Sequence, residues 1–137
     1  MKNKLSFLLV LLMTSLCFVS CSDDDPKLGD WDLPVWNTEV NMSTIVDGTY
    51  LMDNPPLEKD LVFKCKNYKS LIFFSISMDG KELANVQSEP YISDWGTVSI
   101  KDNVLNVKLN PQAKELSKKI IVHVSVGDTG SDFIFNW

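Results

Sequence analysis

Apolar and polar residues alternate with a period of two over much of the chain, and this pattern predicts short β-strands. In 61–66, 104–109 and 120–126 an apolar residue occupies every second position, as on a strand with one buried face. Turn residues separate the segments, and the Asp-Gly pair at 79–80 is typical of a type I′ hairpin. Seven or eight strands at this spacing, without a long helix, predict an all-β antiparallel β-sandwich.

Other segments carry weaker signals. The stretches 38–42 and 49–52 are short and β-prone, and the second is followed by the strong break Asp-Asn-Pro-Pro at 53–56. The stretch 112–117 is the only plausible helical turn, and we interpret it as a loop. Trp95 stands just before a strand, so we expect it in the core of the sandwich.

The first 20 residues predict an export signal. Lys2 and Lys4 give a positively charged start, and an almost unbroken apolar run follows over 5–16. A run of this length fits the core of a signal peptide and is too short to span a bilayer comfortably. We therefore expect residues 1–20 to be absent from the mature protein.

The residues that follow the apolar run resemble the box of a bacterial lipoprotein. The sequence Phe-Val-Ser-Cys at 18–21 places the small Ser20 before Cys21, whereas the competing Cys17 follows the larger Leu16. The resemblance implies that Cys21 becomes the lipidated N-terminus, so that acyl chains hold the protein on the outer membrane. The alternative is an ordinary secreted protein cut near Ser20, with a free thiol.

A short acidic run follows the cysteine. It resembles the export signal of surface-exposed lipoproteins of the Bacteroidetes, and its residues are Ser22, Asp23, Asp24 and Asp25. The alternative is a solvated acidic spacer. We expect an outer-membrane lipoprotein on the cell surface, or else one that faces the periplasm. Residues 21–35 then form a flexible acidic tether, and 36–137 form the β-sandwich domain.

Composition narrows the classes of partner. Without residues 1–20 the chain has 117 residues, enough for one domain. The removed part holds two of the 13 cationic residues and none of the 18 acids, which leaves a formal charge of −7, and no Arg occurs. Because phosphate contacts need clustered Lys and Arg, we expect no nucleic-acid binding. Only Cys65 remains as a thiol after lipidation of Cys21, which excludes an intramolecular disulfide.

Three segments of the second half are similar to BACON domains. They are Trp-Gly-Thr-Val-Ser-Ile at 95–100, Val-Leu-Asn-Val-Lys-Leu-Asn at 104–110, and 119–128, which ends in Gly-Asp. The chain departs from that family's pattern at 118–119, where Lys-Lys replaces the usual Arg, and at 136–137, where Asn-Trp replaces the usual Gln. The resemblance implies an antiparallel immunoglobulin-like β-sandwich, and glycan as the first choice of ligand.

Residue types that carry catalysis are scarce. His123 is the only histidine and falls on the outward side of a predicted strand, where a solvated side chain is the expectation. Cys65 shares one face of its predicted strand with Leu61 and Phe63, so we expect a buried, inert thiol. Oxygen ligands cluster around Asp128 without the spacing of a calcium loop. We therefore expect no catalytic residue, no metal site and no cofactor.

Glycan binding would need exposed aromatic rings. The candidates for stacking on a sugar are Tyr91, Trp137 and Trp36, and packing in the core is the alternative for each. The sequence thus predicts a non-catalytic binding or adhesion module. The alternative is a structural or accessory subunit of a cell-surface protein complex. An exposed cluster of aromatic rings would favour a glycan, whereas a flat aliphatic patch or an open edge strand would favour a protein partner.

Overall fold

The computed structural model describes residues 32–86 and 89–137. The predicted signal peptide (1–20), lipidated Cys21 and export signal (22–25) lie outside the described residues. Within the described ranges, no helix has the length and apolar character needed to cross a lipid bilayer.

The fold is an all-β sandwich of two sheets. The five-stranded sheet has the order β1-β4-β9-β8-β7, and its strands are β1 (Trp36–Asn37), β4 (Asp60–Cys65), β7 (Tyr91–Ser93), β8 (Gly96–Lys101) and β9 (Val104–Leu109). The six-stranded sheet has the order β2-β3-β11-β10-β5-β6, and its strands are β2 (Ser43–Val46), β3 (Thr49–Asp53), β5 (Phe73–Met78), β6 (Lys81–Val86), β10 (Lys119–Ser125) and β11 (Gly130–Asn136). Buried residues from both sheets join one hydrophobic core.

The topology differs from the prediction in two respects. Eleven strands occur in the described residues, against the predicted seven or eight, because the prediction missed short strands such as β1 and β7. The sheets are also not purely antiparallel, since β3 runs parallel to β11 with Phe133 beside Tyr50. This pair joins segments far apart in sequence, and such a pairing leaves no local signal.

The period-two alternation is confirmed by burial. In β4 every second residue is fully buried, and the same holds for the inward positions of β9 and β10. Phe133 and Phe135 of β11 complete the centre of the core. Because these side chains alternate with half-exposed or exposed neighbours, each strand contributes one apolar face to the space between the sheets.

Two local predictions are confirmed. Asp79 and Gly80 have φ angles of 48° and 86°, the left-handed values that a type I′ turn requires, and they join β5 to β6. Trp95 is buried, and its backbone carbonyl accepts a hydrogen bond of 2.7 Å from the N–H of Asn110. The residue therefore lies in the core as expected.

Two other local predictions are wrong. Residues 112–116 form a one-turn helix, α1 (Gln112–Leu116), whose Ala113 packs into the core, rather than a loop. Residues 38–42 form no strand, because the hydroxyl of Thr38 accepts a hydrogen bond from the N–H of Val40 and bends the chain there. The strands lie on either side of this bend, in β1 and β2.

Residues 32–35, the described part of the predicted tether, lie against the sandwich. The side-chain amide of Asn67 donates to the carbonyl of Leu33 and accepts from the N–H of Val35, at 3.0 and 2.8 Å. The hydroxyl of Tyr68 donates to the carbonyl of Asp32. The chain therefore runs along the domain before β1 begins.

Candidate functional site

Trp36 is a core residue. Its side chain is 9% exposed, and its ring meets Phe133 edge-on with 5.1 Å between centroids. The indole N–H donates a hydrogen bond of 2.9 Å to the hydroxyl of Ser131. Because no ring face is left for a sugar, Trp36 is removed from the set of candidate stacking residues.

Tyr91 and Trp137 are both half-buried, and Tyr91 lies in the five-stranded sheet whereas Trp137 follows a strand of the six-stranded sheet. Tyr91 begins β7, and its ring lies 5.7 Å from that of the buried Trp95, tilted by 37°. Trp137 follows β11, and its indole N–H is the one buried side-chain polar atom without a hydrogen-bond partner in the described part of the chain. No ring contact joins the two residues in those ranges. The structure therefore does not bring the three predicted stacking residues together.

His123 forms a pair with Asp132 on the outer face of the six-stranded sheet. The His123 Nδ1 atom lies 2.6 Å from the Asp132 carboxylate, and each side chain is 42% exposed. The two residues are direct cross-strand neighbours of β10 and β11, so a register for this hairpin would have predicted the pair. The expectation of an outward-facing histidine is confirmed, but its partner was missed.

The His123 ring lies toward β11. Ser75 is its neighbour on β5, on the side away from Asp132. The Cε1 and Nε2 atoms lie within 3.2 Å of the position that a Cβ atom on Gly130 would occupy, so the ring leans over β11.

Two further predictions concern the thiol of Cys65 and metal binding. The thiol of Cys65 is fully buried and lies 3.4 Å from the side-chain oxygen of Asn67, as expected for a structural cysteine. No group of three His, Cys, Asp or Glu side chains suited to a metal ion occurs within 32–86 and 89–137.

A cleft of about 690 Å³ lies beside β1, β3 and β4, and we call it the amide cleft. It is lined by 37–41, 52–56, 59–62 and Lys64. Its volume lies within the range of about 300–1,000 Å³ that is typical of small-ligand sites. None of the predicted site residues lines it, and sequence reasoning missed it, although the Asp-Asn-Pro-Pro turn at 53–56 was recognised as a break.

Amide, carboxylate and ammonium groups line the amide cleft. Three asparagines (Asn37, Asn41 and Asn54), three acids (Glu39, Asp53 and Asp60) and two lysines (Lys59 and Lys64) contribute polar groups. Buried Met52, Leu61 and Pro55 add apolar surface. Polar groups beside apolar surface are typical of sites that orient a small ligand.

Hydrogen bonds hold one wall of the amide cleft. Asn54 has a φ of 51°, and its backbone N–H donates a hydrogen bond of 2.7 Å to the carbonyl of Asn136. The side-chain amide of Asn136 donates in turn to the carboxylate of Asp53 at 3.0 Å. This wall is therefore fixed to the end of β11.

Exposed aliphatic side chains lie near the turn between β2 and β3. Ile45 and Val46 are 54% and 60% exposed. Leu33 is also exposed and lies 3.4 Å from the position of a Cβ atom on Gly48, in the turn. We call Leu33, Ile45 and Val46 the hairpin patch. The edge itself is irregular, since the pairing of β2 with β3 shifts between Thr44 and Val46.

Tyr50, on the same hairpin, has a perturbed hydroxyl. Burial raises its pKa above the ordinary value of 10.0, and the nearby Asp47 and Cys65 raise the pKa further. Its ring stacks on Phe133 with 5.4 Å between centroids. The hydroxyl is therefore a packing group that stays neutral at physiological pH.

Comparison with known proteins supports the fold. Neither a protein-family model nor a curated protein matches the sequence. The chain is similar to the NMR structure of a protein from Bacteroides thetaiotaomicron, with a TM-score of 0.53 and 24% sequence identity. The similarity covers 85% of this chain and 97% of that chain. At this identity it shows the shared fold alone.

Proposed function

We propose that this chain is an outer-membrane lipoprotein whose β-sandwich is a non-catalytic binding module, held on the cell surface by acyl chains on Cys21. The Phe-Val-Ser-Cys box at 18–21 and the acidic run at 22–25 support the anchor and the surface location. Two or three acyl chains anchor a protein stably, so the module needs no spanning helix. The scarcity of residue types that carry catalysis, with His123 the only histidine of the chain, favours a role without catalysis.

We infer that the sandwich is immunoglobulin-like and related to BACON domains. The strand orders support this proposal. The neighbours β1-β4-β9-β8 correspond to the A-B-E-D sheet of an immunoglobulin domain, and β11-β10-β5-β6 correspond to G-F-C-C′. The corresponding strands also follow one another in the same order along the chain in this domain and in an immunoglobulin domain. The remaining strands β2, β3 and β7 are additions at the edges of this arrangement.

Glycan is the ligand class that we favour, and the amide cleft is the observation that carries this proposal. Its amides and carboxylates can hydrogen-bond to hydroxyl groups, and its size suits a small ligand. This support differs from the stacking on Tyr91, Trp137 and Trp36 that the sequence suggested. Of the three residues, Tyr91 and Trp137 are partly exposed.

A glycan array tests the binding function. The probe is the mature chain from residue 21 with the substitution Cys21→Ser, which keeps the tether and the domain but carries no lipid. We expect binding to at least one group of plant, host or microbial glycans. An array without any hit would set glycan binding aside in favour of a role in a protein complex.

The second candidate function is an accessory subunit of a cell-surface protein complex, and the hairpin patch is the observation that favours it. Exposed Ile45 and Val46 form aliphatic surface at an edge strand. A photo-crosslinker at position 46 in intact cells tests this candidate. A single cross-linked envelope protein that is lost with Ile45→Asp would support it, provided that a crosslinker at the exposed Leu83 of β6 gives no such product.

A further inference from the structure

We infer that the amide cleft binds a short neutral oligosaccharide, and that Asn37, Asn41 and Asn54 provide its main hydrogen bonds. This inference rests on the proposed glycan-binding function and assigns it a site and a ligand class. The three side chains lie in separate parts of the lining, on β1, in the bend before β2 and in the turn after β3. A ligand that spans the cleft would therefore meet all three.

The chemistry of these side chains matches vicinal hydroxyl groups. A carboxamide offers an acceptor oxygen and two N–H donors, and a sugar hydroxyl both donates and accepts. The carboxylates of Glu39 and Asp60 add acceptors in the same lining. Buried Pro55 and the aliphatic Val62 supply apolar surface for the C–H groups of a sugar ring. The lining thus offers both kinds of contact that a pyranose ring makes.

The charges of the lining favour a neutral ligand over an anionic one. Three carboxylates face the cleft against two ammonium groups. The mature chain as a whole has a formal charge of −7, derived above from its composition. The screening length at moderate salt is about 10 Å. The carboxylates of the lining therefore repel a uronic acid or a sulfated sugar that enters the cleft.

Two of the polar walls are held in place before a ligand arrives. The turn after β3 is fixed by two prolines at 55–56 and by the hydrogen bond from Asn54 to Asn136. Asn37 follows Trp36, whose buried indole is bonded to Ser131. A fixed site loses less conformational entropy on binding than a mobile one. The cleft therefore suits a polar ligand such as a sugar, which depends on hydrogen-bond partners that are already in place.

A peptide fits the cleft less well than a sugar. Extended peptides gain affinity by adding a strand to an open sheet edge. The strand edges that border the cleft are short, since β1 has two residues and pairs with β4 only at Lys64 and Cys65, which leaves the edge of β4 open over 60–63. Such short edges offer a peptide few main-chain hydrogen bonds. A peptide ligand is therefore the competing outcome of the experiment below.

The experiment is an NMR titration of the mature chain with Cys21→Ser, because the side-chain amides of asparagine give resolved signals. The sugars are neutral trisaccharides of glucose, xylose, mannose or N-acetylglucosamine, with trigalacturonate as the anionic comparison and trialanine as the peptide. We expect at least one neutral sugar to shift the amide signals of Asn37, Asn41 and Asn54. The anionic sugar and the peptide should leave them unchanged.

A double variant and a matched control identify the site. Asn41→Ala with Asn54→Gly removes two amides, and glycine keeps the left-handed backbone that residue 54 requires. The loss of two hydrogen bonds should weaken binding at least about tenfold. Asn85→Ala removes an equally exposed amide on β6, outside the cleft, and should leave the Kd unchanged. Urea unfolding of each variant checks that the domain is still folded.

Four results would overturn the inference. Binding of a neutral sugar without shifts at the three asparagines, or with an unchanged Kd in the double variant, would move the site elsewhere and leave glycan binding intact. Tighter binding of trigalacturonate would overturn the ligand class alone. Binding of trialanine at the three amides would assign the cleft to peptides. No response to any neutral sugar at millimolar concentration would reject the inference, and a blank glycan array as well would reject the proposed function.

Discussion

The indole N–H of Trp36 donates a hydrogen bond of 2.9 Å to the hydroxyl of Ser131, which lies 95 residues later in the chain. Trp36 belongs to the five-stranded sheet and Ser131 to the six-stranded sheet, so this bond joins the two layers of the sandwich. Both side chains are buried, and Phe133 packs against the indole ring. The pair fixes β1, and with it Asn37 in the wall of the amide cleft.

Removal of either partner should destabilise the domain. Trp36→Phe keeps an aromatic ring but leaves the hydroxyl of Ser131 buried without its donor, at a cost of about 1–3 kcal/mol. Ser131→Ala leaves the indole N–H unpaired and should cost a similar amount. The double variant should lose less unfolding free energy than the two single variants together, because it leaves no unpaired polar group. Urea unfolding followed by circular dichroism measures the three values, and strict additivity would contradict the role of the bond.

Two glycines should respond differently to alanine. A Cβ atom on Gly96 would lie 2.2 Å from the backbone carbonyl oxygen of Lys108, on the paired strand β9. Gly96→Ala should therefore force β8 away from β9 and cost about 3 kcal/mol or more. Gly80 has a φ of 86° but nothing within 4 Å of its Cβ position. Gly80→Ala should cost only the backbone strain, about 1–2 kcal/mol. Thermal unfolding would contradict this account if the two variants had equal Tm values.

Alkaline pH should weaken the fold through Tyr50. Burial and the nearby Asp47 raise the pKa of this hydroxyl above 10.0, so the unfolded state loses the proton first as the pH rises. The stability that this group contributes is complete below pH 10 and is lost as the pH rises through the raised pKa. Unfolding free energies measured from neutral pH upwards should fall beyond pH 10, and less steeply for Tyr50→Phe. An identical decline in both proteins would contradict this assignment.

Cys65 should resist thiol reagents in the native state. Its side chain is fully buried and lies beside Asn67, so a reagent reaches it only after the domain opens. With Cys21→Ser in the mature chain, Cys65 is the single thiol. Ellman's reagent should react slowly without urea and at once in urea. Rapid reaction of the native protein would show that the thiol is accessible.

The strands that could be predicted from the sequence are those whose buried positions follow the local alternation of apolar and polar residues. In β4 the period of two already separates Leu61, Phe63 and Cys65 from their exposed neighbours, whatever the partner strand is. The strand β2 has four exposed residues and gives no such pattern, although the Asp-Gly pair at 47–48 is a turn signal that could have located it. The parallel pairing of β3 with β11 joins residues that are 83 positions apart and had no local signal.

The sites were harder to predict than the strands. Burial of Trp36 depends on Ser131 and Phe133, which are distant in sequence, so its exposure could not be judged from its neighbours. The amide cleft forms where the bend after β1 faces the turn after β3. Each segment alone looks like an ordinary polar loop. The cleft becomes visible only when the two sheets are assembled.

Mass spectrometry of the protein isolated from its native cell envelope tests the central claim, attachment through Cys21, most directly. The account predicts a mature N-terminus at Cys21 whose mass includes two or three acyl chains. A mature protein that begins elsewhere, or that carries an unmodified thiol at Cys21, would contradict the account.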